Sequence, residues 1–220
     1  MAQRPNIKDV SQLEGLGAEM RFVHWAQRKW PDAAVHMACE ADNMGQHWDV
    51  LLQPKRQPKR GVRVDVKAAR RKARGAAEVD TTGTWLELQT AAPERCGSLF
   101  GDAELLAFEV VVGGTGGGTG GGTGGEAATT REWLLVPRVR LLQAIMSTAR
   151  RVGMTLTLER DEATVTRTDK TKPLVLYCRR GAERLLWVSI DTVLRPLALR
   201  HPLTAHVGAM ATALQGSKTQ

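Results

Sequence analysis

The chain has 220 residues, 42% of them hydrophobic and 25% charged, which is ordinary for a soluble globular protein and enough for one well-cored domain. Its formal net charge of +8 favours an anionic partner, and nucleic acid is the commonest one. Cys39, Cys96 and Cys178 are odd in number and far apart, which excludes a zinc cluster or a disulfide framework and fits a reducing compartment. The opening MAQRPNIKDV lacks the apolar core of a signal peptide, and the apolar runs at Val110–Val112 and Leu134–Pro137 are far too short to span a membrane. The expectation is a soluble intracellular protein, cytoplasmic or nuclear, with no membrane partner.

In chain order, residues 12–30 carry Leu13, Leu16, Met20, Val23 and Ala26 or Trp30 at helical spacing, with Ser11 as N-cap and Pro31-Asp32 as the stop. His24 and Trp25 are expected on that helix's packing face. Ala33–Cys39 reads as a strand, and Glu40–Gln46 as a turn centred on Asn43 and Gly45. His47–Gln53 and Gly61–Lys67 read as two strands of a hairpin whose tip, Pro54–Arg60, holds four basic residues and two prolines. Ala68–Glu78 is a basic short helix or ordered loop. Trp85–Gln89, Glu104–Val112 and Glu132–Pro137 continue the strand pattern, and Arg138–Arg150 is amphipathic in the helical sense. Pro173–Cys178 and Leu185–Ile190 add two strands, and Asp191–Leu199 closes the domain as a helix or turn. Gly113–Gly125 is a low-complexity Gly/Thr tract without the lysine of a phosphate-binding loop, and reads as a disordered insertion joining two strands. A single domain over residues 1–200 is expected, followed by a weakly ordered tail from His201 to Gln220.

The chemistry concentrates on the hairpin. Strands paired about a centre near Gln57 place Asp49 opposite Asp65, with Cβ atoms roughly 4.5–5.5 Å apart. Two like charges there repel, so a cation between them is expected, and hard divalent ions choose carboxylate oxygens. Lys67 follows Asp65 by two residues and shares its face, while Val64 and Val66 turn into a core. Two carboxylates and an ammonium on one face are what metal-assisted phosphodiester hydrolysis uses. Glu87 and Gln89 alternate on what is expected to be the next core strand and could extend the site. Residues 55–74 hold ten basic residues against one acid, Asp65; that local excess of nine leaves the remainder of the +8 chain about neutral. The phosphate-binding residues expected there are Lys55, Arg56, Lys59, Arg60, Arg70, Arg71, Lys72 and Arg74. His24, His36, His47, His201 and His206 show no ligand spacing and read as surface or packing residues.

Trp48-Asp49 followed by Asp65-Val66-Lys67 resembles the core motif of the PD-(D/E)xK nuclease superfamily, with tryptophan in place of the motif's proline. The restriction-endonuclease-like and Holliday-junction-resolvase-like nucleases belong to it, and Gly97–Phe108 is similar to a segment of its small phage- and virus-type members. The resemblance covers roughly residues 12–140. It implies an α/β (α+β) fold with an αβββαβ core, a central mixed sheet and a helix on either side. It also implies Asp49 and Asp65 as ligands of Mg²⁺ (or Mn²⁺), Lys67 as the catalytic lysine, and an acidic residue from the first helix, assigned to Glu19 with Glu14 as competitor. The activity implied is hydrolysis of DNA phosphodiester bonds, as an endonuclease and as a possible homodimer. The alternative is a nucleic-acid-binding protein on an inactive nuclease fold.

Overall fold

The computed structural model describes residues 7–39, 42–43, 46–72, 78–89, 98–112, 130–151, 154–159, 162–167, 175–180 and 183–199. Arg74, the Gly113–Gly125 tract and the His201–Gln220 tail lie outside the described residues. Helix α1 spans Ile7–Lys29, so Ser11 sits inside it rather than capping it. Strands β1 (Ala33–Met37), β2 (Val50–Pro54) and β3 (Val62–Lys67) follow. Next come β4 (Gly83–Gln89), a 3-10 turn at Ser98–Phe100, β5 (Leu105–Val112) and β6 (Thr130–Pro137). Helix α2 (Arg138–Arg151) leads to β7 (Met154–Glu159), β8 (Glu162–Arg167), β9 (Val175–Arg180) and β10 (Glu183–Ser189), and a wide turn over Ile190–Leu194 runs into a short helix at Arg195–Leu197.

Five strands form one mixed sheet in the order β1-β2-β3-β5-β6. Only β3 and β5 run parallel. Residues Leu105 to Val110 of β5 are all buried, the signature of a central strand covered on both faces. Alternation along β5 and β6 divides the core. Leu105, Ala107 and Leu135 join Val62, Val64 and Val66 beneath α1, while Leu106, Phe108, Leu134 and Val136 pack with α2 residues Leu141 and Ile145. The second core also takes in Leu86, Leu186 and Val188 from the smaller sheet β4-β10-β9. The molecule is therefore mixed α/β, with helices on both faces of the central sheet.

Three expectations need correction. Helix α1 does not bury Leu13, Leu16 and Met20, which are 68%, 49% and 41% exposed; it buries Ala18, Phe22, Val23, Ala26 and Trp30. Both rows have helical spacing. The small Ala18 and Ala26 let the helix come close to the sheet, and Phe22 stacks edge-on against Trp133 of β6. His24 is exposed, whereas Trp25 packs against Phe22, Trp30 and Trp133. Second, β4 is not β3's neighbour in the central sheet. It pairs with β10, with Gly83 lying under the Trp187 ring where a Cβ would come within 2.3 Å. A strand with a glycine and a half-buried pattern suits this antiparallel sheet, whereas the all-buried β5 takes the central place. Third, β7 and β8 form a hairpin in a stretch where no element is expected. Of the Ala68–Glu78 segment, residues 68–72 and 78 are described and are not helical, with a bridge between Arg71 and Val79; residues 73–77 lie outside the described residues.

Candidate active site

Strands β2 and β3 pair as Val50–Val64, Leu51–Arg63 and Leu52–Val62. Continued by one residue, this is the register that opposes Asp49 to Asp65. Asp49 itself precedes β2, and its backbone N–H donates to Val64 O at 2.9 Å. Its carboxylate is nearly enclosed: Oδ2 accepts from the Val66 N–H and Oδ1 from Asn43 Nδ2, each at 2.6 Å. Asp65 is buried on β3, with Oδ1 2.9 Å from Lys67 Nζ. Its Oδ2 is shut away from solvent without a hydrogen-bond partner.

These side chains meet. Glu19, Asn43, His47, Asp49, Asp65, Val66 and Lys67 line a polar cavity of about 250 Å³ where β2 begins and β3 ends. Glu19 reaches it from α1, next to the buried Ala18, so the helix acid at the cavity is Glu19. Glu14 instead pairs with Arg71 at 2.6 Å. The loop before Asp49 is held from the β5 side. The Asp102 N–H donates to Gln46 O at 2.7 Å, and Gly101 packs so closely that a Cβ there would stand 2.5 Å from His47 Cβ. His47 adopts φ 54, a left-handed conformation that swings the chain into the Asp49 turn.

The electrostatics follow from burial without compensation. Loss of solvent pushes the Asp49 carboxyl up to about 8, the Asp65 charge adds to this, and the Val66 N–H and the Lys67 ammonium oppose it. Burial and Asp65 likewise raise Glu19, again against Lys67. Three acids around one amine leave an excess of negative charge in a confined space. Among the described residues no group of three or more His, Cys, Asp or Glu is arranged to enclose a metal ion. A partnerless buried carboxylate oxygen beside a second buried carboxyl nevertheless fits a hard divalent cation, which needs only one or two carboxylates when water and phosphate fill its other positions.

Asn43 and His47 escape sequence reasoning. Asn43 falls in the stretch read as a polar turn, and His47 reads as the start of a strand and as a surface or packing histidine, yet both line the cavity beside Asp49. Glu109 is missed as well. Buried on β5, it accepts from Arg21 Nε and Nη2 at 2.6 and 2.8 Å and from the Ala69 N–H at 3.2 Å, and pairs with Arg131 at 2.9 Å. Burial alone would raise its carboxyl, but these contacts outweigh burial and hold it below the usual glutamate range. A depressed folded value gives stability that is complete above the ordinary value near 4.5 and is lost as pH falls through the folded one. Glu109→Gln is therefore expected to cost about 2–4 kcal/mol at pH 7. Urea titrations across pH should show the gap to wild type closing below pH 4.5, and a gap independent of pH would contradict this account.

The basic residues separate into two groups. Arg70 pairs with Asp80 and lies over the Trp85 ring, Arg71 pairs with Glu14, and Lys72 with Glu78; Arg63 is held by Glu104 and Asp102. Glu78 and Asp80 just beyond the basic stretch, and Glu14, Asp102 and Glu104 from farther along the chain, thus offset much of the local excess. Lys55, Arg56, Lys59 and Arg60 are exposed at the hairpin tip, with Lys55 Nζ donating to Pro31 O. The tip is at the far end of β3: five residue steps lead from Arg60 to Asp65, roughly 17 Å if extended. Glu87 and Gln89 belong to β4 of the other sheet, and their side chains lie outside the described residues. No helix among the described residues is long and apolar enough to cross a membrane. Comparison with protein-family models, curated proteins and solved structures finds no match to this chain.

Proposed function

We propose that the protein is a divalent-metal-dependent nuclease of the PD-(D/E)xK kind, hydrolysing DNA phosphodiester bonds at the cavity formed by Glu19, Asp49, Asp65 and Lys67. The observation that carries this reading is the convergence of two buried carboxyls from neighbouring strands, one with an oxygen lacking any partner, on a cavity that also receives Lys67. The backbone lends support: a helix, three antiparallel strands and a later strand returning parallel to the third match the first helix, the three strands and the last strand of the αβββαβ order. In this chain β4 and a 3-10 turn are the described elements of the crossover, where that order has a helix.

Asp49 and Asp65 would hold the ion, Mg²⁺ or Mn²⁺, with Glu19 at its margin. Bound there, such an ion supplies Lewis-acid polarisation of a phosphate and acidification of a water. The protein's own groups prepare the site. Asn43 and the Val66 N–H fix the Asp49 carboxylate in one orientation. The Lys67 ammonium, held by Asp65, can orient an attacking water by hydrogen bonding and places positive charge where negative charge grows on the phosphate. Supercoiled-plasmid nicking should appear with Mg²⁺ and vanish with a chelator. A chain that binds DNA yet never nicks it with either ion would instead be a binding protein on an inactive fold.

A further inference from the structure

A second cavity, about 350 Å³, is lined in part by Ala68 and Ala69, the two residues that follow Lys67. Its lining includes Arg21 from α1, Ala69, Arg71, Glu109 from β5 and Arg131 from β6. Two guanidiniums share the single buried carboxylate of Glu109, while Arg71 pairs with Glu14. One arginine would be enough to neutralise Glu109 and tie the helix to the sheet. The second leaves one positive charge over, on side chains that are 45% and 49% exposed at a cavity. Glu109 acts here as a bracket: its two-point grip on Arg21 fixes the plane of that guanidinium, and a fixed fork is what recognises a phosphate.

We propose that this cavity is a phosphate subsite of the same nucleic-acid cleft, in which Arg21 and Arg131 take a backbone phosphate one or two nucleotides from the bond cut beside Lys67. The proposal rests on the nuclease reading above. The spacing supports it. Ala69, whose N–H is bonded to Glu109, follows Lys67 by two residues, at most roughly 7 Å of chain. A nucleic-acid strand rises about 3.4 Å along its axis per phosphate, so groups that close along the chain can face phosphates one or two steps apart on one strand. The arginines are held by the buried sheet and helix, not by a loop, which suits a contact that sets the register of the substrate.

The test is DNA binding by the full chain without divalent metal, read by fluorescence anisotropy of a labelled duplex over a range of KCl. Arg131→Gln and Arg21→Gln should each raise Kd roughly 5- to 20-fold at 0.1 M KCl and lower the slope of log Kd against log salt by about one, and Arg131→Lys should keep most of the slope. A folded Arg131→Gln protein with wild-type Kd and slope would overturn the subsite and leave the cluster as a structural brace. Should that variant not fold, the wild-type protein is titrated with duplexes carrying one neutral methylphosphonate at successive positions. One position within two nucleotides of the cut should weaken binding, and equal affinity at every position would overturn the proposal. Wild-type protein with no affinity for DNA would bring down the nuclease reading itself, a result distinct from either.

Discussion

Lys67→Ala is expected to lower Mg²⁺-dependent cleavage at saturating DNA by roughly 10²–10⁴-fold, the range for losing one positioned proton-handling or charge-stabilising group. Lys67 is the basic side chain lining the polar cavity, set 2.9 Å from Asp65 at the end of a strand whose neighbouring valines are buried. It lies beyond the exposed Lys55–Arg60 tip, so DNA affinity should change little. The loss should therefore fall on kcat and not on Kd. Single-turnover cleavage with anisotropy on the same substrate separates the two. Unchanged kcat would remove Lys67 from the chemistry.

Asp49→Asn should have effects of opposite sign on activity and on stability. Activity should fall by roughly 10²–10³-fold, because an amide oxygen can approach a hard cation but brings no negative charge to it. The metal-free protein, however, should become more stable at pH 8. With its carboxyl pushed up to about 8, folded Asp49 holds a proton that the unfolded chain has already lost above about pH 4. The folded state thus binds more protons than the unfolded state between those values, so stability declines as pH rises through that window and levels off above it. Each unit of displacement is worth ~1.4 kcal/mol, and relaxation around the buried group returns part of that, so a gain of about 2–4 kcal/mol for the variant at pH 8 is expected. The amide oxygen can still accept from the Val66 N–H, and Asn43 can turn its own amide to match. Denaturant unfolding in chelator at pH 5 and pH 8 reads this: the variant's advantage should grow with pH, and destabilisation at both values would contradict it.

The hairpin that carries Asp49 and Asp65 was legible because strand pairing is arithmetic. The positions of two strands and a turn specify Asp49 against Asp65, and the register of Val50 with Val64 is the one expected. The buried face of α1 was legible at Val23, Ala26 and Trp30 but not in its first turns, since Leu13-Leu16-Met20 and Ala18-Phe22-Ala26 have equally good helical spacing and only the sheet beneath chooses between them. The partner of β3 was hidden for a related reason: β5 follows β4 in sequence but is buried on both faces, so it displaces β4 from the centre. Charge counted over residues 55–74 misled most at Arg70, Arg71 and Lys72, because Glu78 and Asp80 lie just past that window and Glu14 reaches Arg71 only in the fold. Glu109 carries no local pattern at all. An acid within an otherwise apolar strand was the sole hint that arginines from elsewhere would cover it.

Titration of the metal-free chain with Mn²⁺ at pH 7, followed by calorimetry in two buffers of different ionisation enthalpy, addresses the cation directly. The account predicts saturable binding accompanied by release of protons, since Asp49 must give up its proton to become a ligand, and loss of that binding in Asp65→Asn. Wild-type protein that takes up no Mn²⁺, or an Asp65→Asn protein that binds it equally well, would contradict the account.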